Sequence, residues 1–155
     1  MDDFKTHIRW MKLAFAEAEK ARELDETPVG AVIVSDGKII GRGGNRVETL
    51  KDPTAHAEII AIGAASESAG YERLVDSTMY VTLEPCPMCA GAIVLARIPQ
   101  LVYGASDPKT GACGSLYDIC RDERLNHCVD VISGIMEPEC ASIIRDFFRL
   151  RRNRK

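Results

Sequence analysis

The spacing of apolar residues alternates between two patterns along this chain, and the alternation restricts the folds that the chain can adopt. From Phe4 to Ala18, apolar residues recur every three or four positions, which is typical of an amphipathic helix. Segments rich in Val and Ile predict strands, and they alternate with further helical segments. The predicted strands are Val29 to Ser35, Lys38 to Gly41, Thr78 to Leu83, Gln100 to Ala105 and Val129 to Ile135. This order predicts a three-layer α/β fold, with a mixed central sheet of about five strands and helices on both faces.

Proline, glycine and aspartate residues indicate where these elements begin and end. Asp36-Gly37 suits a two-residue hairpin turn between the first two strands. The first helix should end between Asp25 and Pro28, because proline pushes the residue before it toward extended geometry. Three more helices are predicted, from Pro53 to about Ala69, from Pro87 to about Arg97 and from Pro138 onward. The 23 residues from 106 to 128 are too long for a hairpin loop and predict a functional loop with some helix.

Length and composition are those of one globular domain. The chain has 155 residues, of which 46% are apolar and 28% are charged, so residues 1–155 are predicted to form a single domain. No apolar run approaches the ~20 residues that a membrane span needs. Residues 1–24 carry charges throughout, unlike the apolar centre of a signal peptide. We therefore expect a cytoplasmic protein with no membrane partner.

Six cysteines in a chain without an export signal favour metal binding or catalysis over a disulfide framework. Two short motifs stand at predicted helix starts, His56-Ala57-Glu58 and Pro85-Cys86-Pro87-Met88-Cys89. A catalytic zinc site has three protein ligands and leaves the fourth position to water. We predict one Zn²⁺ per chain, with His56, Cys86 and Cys89 as ligands and with Glu58 unligated as the proton carrier.

Other interpretations of these motifs remain open from the residues alone. A Cys-x-x-Cys pair between a strand and a helix also occurs in thioredoxin-like redox proteins. A single His at a helix start can be a cap, and a single Glu there can complement the helix dipole. A closed structural zinc site would need a fourth ligand. The residues that could offer one are His7, Cys113, Cys120, His127, Cys128 and Cys140.

Charge is distributed unevenly along the chain. The segment 145–155 holds six basic residues and one acidic residue, a net charge of +5, whereas the whole chain has a formal charge of -3. The basic residues are Arg145, Arg149, Arg151, Arg152, Arg154 and Lys155. An acidic body with a basic end is compatible with nucleic-acid binding at a local face, because binding depends on neutralised phosphates.

The motifs resemble a known family. His-x-Glu with Pro-Cys-x-x-Cys is the signature of zinc-dependent nucleobase deaminases, in the cytidine deaminase superfamily. Longer segments resemble the bacterial tRNA-specific adenosine deaminases: Thr54 to Glu58, Thr82 to Ala92, Asp107 to Ala112 and Phe147 to Arg152. The resemblance runs from about Thr27 to Arg152 and implies a cytidine-deaminase-like fold.

The resemblance also implies an activity and a set of contacts. The activity is hydrolytic deamination of adenosine to inosine at the wobble position of tRNA anticodons, by a homodimer. Glu58 would carry protons between water, the ring nitrogen of the base and the departing ammonia. The substrate-binding residues that the family implies are Val29, Asn45, Ala57, Asp107, Phe148 and Arg151.

Simpler roles remain open for several of these residues. Asn45 and Asp107 could be turn residues, Val29 an ordinary strand residue, and Phe148 part of a helix core with a solvated basic face beside it. The zinc motifs alone would also suit a deaminase of free guanine or cytosine. A non-catalytic RNA-binding protein with a structural zinc is the alternative outside enzymes.

Overall fold

A five-stranded sheet with helices on both faces forms the body of the protein, as a computed structural model covering residues 4–153 describes it. The elements are α1 (Phe4–Glu23), β1 (Gly30–Ser35), β2 (Lys38–Gly44), α2 (Val47–Leu50), α3 (Ala57–Ala69), β3 (Thr78–Leu83), α4 (Pro87–Leu95), β4 (Gln100–Ala105), β5 (Asp130–Ile132) and α5 (Glu137–Asn153). Arg154 and Lys155 of the predicted basic end lie outside the described residues. Within residues 4–153, no helix has the length and apolar character needed to cross a bilayer.

The sheet is mixed, as predicted. The strand order is β2-β1-β3-β4-β5, with β1 antiparallel to both of its neighbours and with β3, β4 and β5 parallel. Asp36 and Gly37 have φ values of 52° and 71°, so the β1–β2 turn has the two left-handed residues expected of a tight hairpin. Because β3 and β4 are parallel, their carboxyl ends lie at the same edge of the sheet, where ligands bind in open α/β sheets.

Two clusters of buried side chains pack on opposite faces of the sheet. One joins small residues of α3 and α4, such as Ala61 and Ala90, to strand residues such as Val81. The other joins α1 and α5 to the opposite face, through residues such as Met11 and Cys140. The three predicted layers are therefore confirmed. The helices α3 and α4, which carry the two motifs, lie on the same face.

Glycines in β2 allow α3 to pack closely on the sheet. A Cβ atom on Gly41 would lie 2.6 Å from the backbone nitrogen of Ala65, and one on Gly43 would lie 2.8 Å from a side-chain methyl of Ile60. Neither distance is sterically allowed. Because these two residues have no side chains, α3 can lie close to the sheet. The same close packing fixes the distance of His56, at the start of α3, from the sheet.

Several predicted boundaries were wrong. The second helix begins at Ala57 rather than Pro53, because the Asp52 carboxylate accepts bonds from the backbone and hydroxyl of Thr54 and holds a turn there. The last strand is shorter than predicted, Asp130–Ile132, since Gly134 within the predicted span adopts a left-handed φ value of 86°. Smaller differences are the extension of β2 to Gly44, the end of α4 at Leu95, the start of α5 at Glu137 and the presence of α2.

Candidate metal centre and active site

The first residues of α3 and α4 meet beside the carboxyl ends of β3 and β4. His56 is the N-cap of α3, and Cys86 is the N-cap of α4 with Pro87 at the first helical position. Both caps have extended backbone angles, and neither side chain makes a capping hydrogen bond to its own helix. Their side chains contact each other instead. The predicted positions of Cys86 and Pro87 at the helix start are confirmed.

Three potential ligand atoms converge at this point. The ligand atoms of His56, Cys86 and Cys89 all lie within 4.8 Å of one another. His56 Nδ1 is 3.6 Å from Cys86 Sγ and 3.5 Å from Cys89 Sγ. A tetrahedral zinc ion about 2.0 Å from nitrogen and about 2.3 Å from sulfur would separate those atoms by about 3.5 Å. The spacing therefore fits two edges of a zinc tetrahedron.

The two thiols compete for a proton. Cys89 donates its S–H toward Cys86, and this hydrogen bond is the main reason that the pKa of Cys86 falls to about 4. The same bond raises the pKa of Cys89. The hydrogen bond to Cys86 also raises the pKa of His56. Cys86 is therefore a thiolate at neutral pH, the form in which cysteine binds metals.

Glu58 lies beside the three ligand residues without belonging to the cluster. It is in the first turn of α3 and only 4% exposed. Burial raises its pKa to about 7, against the lowering effect of the bond to its own backbone and of His56. A carboxyl group with a pKa near neutrality can both accept and return a proton at physiological pH.

No fourth ligand residue joins the cluster among residues 4–153. The other cysteines and histidines that the sequence offered have different surroundings. Cys113 and Cys120 face each other with their sulfurs 3.4 Å apart, His7 contacts the hydroxyl of Tyr80, and His127 contacts the carbonyl of Ile98. The described residues therefore leave one side of the site to solvent or substrate, as in a catalytic zinc site.

A cavity of about 1100 Å³ opens above these groups. Its walls come from the turn after α1, from Asn45, from the loop after β4 and from α5. All six predicted substrate-binding residues line it: Val29, Asn45, Ala57, Asp107, Phe148 and Arg151. The structure thus brings them together around the candidate metal centre, and contact with a nucleotide stays a prediction for each of them.

Asn45 has a structural role in addition to its place in the cavity. Its backbone N–H donates to the carbonyl of Val29 at 3.1 Å, and its Oδ1 accepts from the N–H of Val47, the first residue of α2, at 2.9 Å. The amide nitrogen is the donor that Asn45 can offer to a bound base. Val29 is only 7% exposed, so it forms part of the core as well as part of the wall.

Asp107 organises the loop that follows β4. Its Oδ1 accepts from the backbone nitrogens of Lys109 at 3.0 Å and Thr110 at 3.2 Å, and its Oδ2 accepts from the Thr110 hydroxyl at 2.7 Å. This is the turn role that the sequence left open. Both oxygens are thus partly committed within the loop.

The basic end of α5 forms another wall of the cavity. Phe148 is 42% exposed and packs edge-to-face on Phe147, with ring centroids 5.4 Å apart. Arg151 Nη2 donates to the carbonyl of Asp25 at 2.6 Å and to Glu48 at 2.7 Å, and its guanidinium lies over the Phe147 ring. Arg151 therefore connects α5 to the turn after α1 and to α2. Arg145, Arg152 and Lys109 also line the cavity.

Sequence reasoning assigned no role to two buried carboxylates, Glu26 behind the cavity and Glu84 in its lining. Glu26 is 1% exposed and accepts from the backbone nitrogens of Glu48 at 3.1 Å and Thr49 at 2.6 Å. Burial alone would raise the pKa of Glu26, but the bonds from Thr49 and Glu48 outweigh it and lower the pKa. Glu84 is 2% exposed and likewise accepts from a backbone nitrogen, that of Asp107 in the loop after β4, at 3.0 Å. Neither residue belongs to a periodic pattern or to a motif with a known ligand spacing.

Comparison with known proteins agrees with this arrangement. A family model described as MafB19-like deaminase matches residues 5–152, so the fold and the site define a deaminase. The tRNA-specific adenosine deaminase of Agrobacterium fabrum is 52% identical over 148 residues, which cover 96% of both chains. The chain belongs to the family of tRNA-specific adenosine deaminases.

Two solved structures illustrate the range of the fold. One, from a study of A-to-I editing by tRNA:A34 deaminases at the wobble position of transfer RNA, has a TM-score of 0.84 and 52% identity, covering 87% of this chain and 98% of the other. The guanine deaminase of Bacillus subtilis has a TM-score of 0.61 and 44% identity, covering 63% of each chain. The resemblance inferred from the motifs is confirmed.

Proposed function

We propose that this protein hydrolyses adenosine to inosine and ammonia at the wobble position of a tRNA anticodon, with one zinc ion per chain. The observation that carries the proposal is the buried Glu58 beside a cluster of three potential ligand residues. These groups lie at the base of a cavity with aromatic and basic walls, in a chain of this family.

The ligand set supports zinc. Imidazole and thiolate are the ligands that Zn²⁺ prefers, and the distances from His56 Nδ1 to the two sulfurs match a tetrahedral site. When bound, zinc supplies Lewis-acid activation of a water molecule. His56, Cys86 and Cys89 would hold the ion, and Glu58 would remain free to transfer protons.

Glu58 would perform the acid and base steps. As a carboxylate it takes a proton from the attacking water, and it gives that proton to the ring nitrogen beside C6 of adenine. A second transfer through Glu58 carries the proton of the hydroxyl group now bonded to C6 to the amino group, and the C6–N bond breaks as ammonia leaves and the carbonyl of inosine forms. Burial raises the pKa of Glu58 above the ordinary value of a carboxyl group, which favours its action as an acid as well as a base.

The cavity walls support a nucleic-acid substrate. The volume of about 1100 Å³ lies at or beyond the upper end of small-molecule pockets, which is about 1000 Å³. Phe148 offers an exposed ring on which a base can stack, and Arg145, Arg152 and Lys109 offer charges for phosphates. The amide nitrogen of Asn45 would donate to the flipped adenine, and Val29 would pack against it. A tRNA substrate agrees with the cytoplasmic location expected from the sequence.

The nearest alternative is a deaminase of free bases. The similarity to a guanine deaminase is the observation that favours it. The test is to supply an anticodon stem-loop with adenosine at the wobble position and, separately, free guanine, cytosine and adenosine. We expect inosine at the wobble position, identified by nuclease digestion and mass spectrometry. Turnover of a free base without turnover of the stem-loop would contradict the proposal. Zinc and RNA binding without any turnover would favour the non-catalytic alternative.

We also propose that the protein is a homodimer whose interface includes α4. This nine-residue helix, Pro87–Leu95, contains no charged residue. Leu95 is 76% exposed and Met88 is 36% exposed, and their separation of seven positions, about two helical turns, places both on the same face of the helix. Exposed apolar faces of this kind mark protein interfaces.

Light scattering coupled to size-exclusion chromatography tests the dimer. We expect Leu95→Glu to shift the protein toward the monomer mass, because it places a charge in an apolar contact. Leu13→Glu is the matched control, since Leu13 is an exposed leucine of α1 on the opposite side of the sheet. An unchanged mass for Leu95→Glu, or a monomeric wild-type protein, would contradict the proposed interface.

A further inference from the structure

Glu84 occupies the junction between the strand β3 and the metal-binding helix α4. It follows Leu83, the last residue of β3, and precedes Cys86 by two positions. Its side chain is 2% exposed, and it is not part of the His56, Cys86 and Cys89 cluster. A buried carboxylate with no ion to bind needs hydrogen-bond donors, and the identity of those donors indicates its role.

All of the hydrogen bonds described for the Glu84 carboxylate come from the loop after β4. Oε1 accepts from the backbone nitrogen of Asp107 at 3.0 Å and from the hydroxyl of Ser115. Oε2 accepts from the backbone nitrogens of Cys113 and Ser115, both at 3.0 Å. The carboxylate therefore joins the start of this loop to its end, and it joins both to the residues that precede Cys86.

The loop is packed directly on this carboxylate. A Cβ atom at Gly111 would lie 2.5 Å from Glu84 Oε1, so only glycine fits there. The backbone nitrogen of Gly111 donates to the carbonyl of Asp107 at 2.8 Å, and that of Ala112 donates to the carbonyl of Pro85 at 2.8 Å. On its other side the same loop forms a wall of the cavity, from Asp107 to Thr110.

We propose that Glu84 is a positioning residue that fixes the substrate-facing loop at a set distance from the metal centre. The inference rests on the proposed function, since it concerns how that site receives its substrate. Glu84 is outside the ligand cluster, and although it lines the cavity, the hydrogen bonds described for its carboxylate all come from the loop. Because residues 84–86 are covalently continuous, the loop that faces the nucleotide and the helix that carries two ligands share one anchor. Glu84 thereby acts on substrate binding rather than on the chemical step.

Glu84→Gln tests this role with almost no change in shape. A glutamine has one acceptor oxygen, and its NH₂ group can face a hydroxyl but not a backbone N–H. The amide should therefore turn its nitrogen toward the Ser115 hydroxyl, which can accept. The bonds from Cys113 and Ser115 would remain, and the backbone N–H of Asp107 would lose its acceptor.

Steady-state kinetics, zinc analysis and hydrogen exchange together separate positioning from catalysis and from simple stability. We expect KM for the anticodon stem-loop to rise roughly 10-fold or more, the usual effect of losing a hydrogen bond to a charged group. The value of kcat and the zinc content should stay unchanged. Hydrogen exchange, measured without substrate, should be faster at the amide of Asp107 and unchanged along α3. Ser115→Ala is the matched control, because it removes only the hydroxyl bond and leaves the three backbone donors.

Gly111→Ala approaches the same contact from the loop side and leaves Glu84 intact. We expect it to raise KM without lowering kcat, since its Cβ would displace the loop from the carboxylate. A fall in kcat at saturating stem-loop, loss of zinc, or unchanged exchange at Asp107 in Glu84→Gln would overturn the proposal. If the wild-type protein forms no inosine in the stem-loop, the proposed function fails, and the exchange result alone decides the role of Glu84.

Discussion

The base and the walls of the cavity are built in different ways. The base, formed by His56, Glu58, Cys86 and Cys89, comes from two short motifs at adjacent helix starts. The walls depend on bonds between distant parts of the chain, such as Glu84 to Ser115 across 31 positions and Arg151 to Asp25 across 126. Local sequence therefore specifies the chemistry, whereas long-range packing specifies access to it. This division explains how deaminases with different substrates can share one fold.

The largest effect should come from removing a ligand at the base. We expect Cys86→Ser to lose its zinc on dialysis and to lose detectable turnover, because a serine hydroxyl does not replace a thiolate. Elemental analysis and the stem-loop assay measure both. Cys128→Ser is the control, since Cys128 is exposed, is not part of the ligand cluster and donates to the carbonyl of Asp122. Full zinc content in Cys86→Ser would remove Cys86 from the ligand set.

Glu58→Gln should separate metal binding from chemistry. We expect kcat to fall by about 10²- to 10⁴-fold, the usual contribution of a general acid or base. Zinc content and RNA affinity should be retained, because Glu58 is outside the ligand cluster. Unchanged activity would exclude Glu58 as the proton carrier, and loss of zinc would show that it is a ligand.

Phe148→Ala tests the walls. Stacking of a base on an aromatic side chain contributes ~1 to 3 kcal/mol, so KM should rise roughly 5- to 150-fold while kcat changes little. Leu150→Ala is the control, because Leu150 is an exposed residue of the same helix that does not line the cavity. Equal effects of the two substitutions would indicate a general loss of helix stability.

Arg152→Gln tests the charge of the same wall. A single phosphate contact changes the slope of log affinity against log salt by about 1. Arg149→Gln is the matched control, since Arg149 pairs with Asp146 at 3.1 Å and does not line the cavity. RNA affinity is measured over a range of salt concentrations. Identical slopes for the wild-type protein and Arg152→Gln would remove Arg152 from the RNA contacts.

The smallest effect on turnover should come from Glu26→Gln, which alters stability instead. Backbone hydrogen bonds hold the pKa of Glu26 below its ordinary value, so its contribution to the free energy of unfolding is fully present above the unfolded pKa of about 4.3. That contribution is lost as the pH falls through the lower, folded pKa. We expect Glu26→Gln to be ~1 to 2 kcal/mol less stable at pH 7. Urea unfolding should show this difference shrinking below about pH 4. A difference independent of pH would contradict the assignment.

The parts of the molecule that the sequence predicted are those with short-range signals. The hairpin at Asp36-Gly37, the individual strands of the mixed sheet and each of the two motifs at the candidate metal centre can be recognised within a short segment of the chain. The start of α3 was predicted four residues early, because Asp52-Pro53 resembles a helix start although Asp52 holds a turn with Thr54.

The side chains whose hydrogen bonds hold the cavity walls could not be recognised from short segments of sequence. Glu26 belongs to no motif, and Glu84 precedes the cysteine motif without being one of its ligands. The donors to both carboxylates are 22 to 31 positions away. Arg151 was predicted from the resemblance to contact RNA, but pattern alone could not show that Glu48 and Asp25 bind its guanidinium. Such bonds become visible only when the sheet brings the loops together.

The close packing of α3 on β2 has a consequence for engineering. Gly41 and Gly43 carry no functional group, yet a methyl group at either would push α3 outward and carry His56 with it. A randomised library selected for turnover would therefore reject substitutions at these glycines as strongly as at the ligands. Positions that tolerate no substitution would therefore include the two glycines of β2 that contact α3, as well as the residues of the active site.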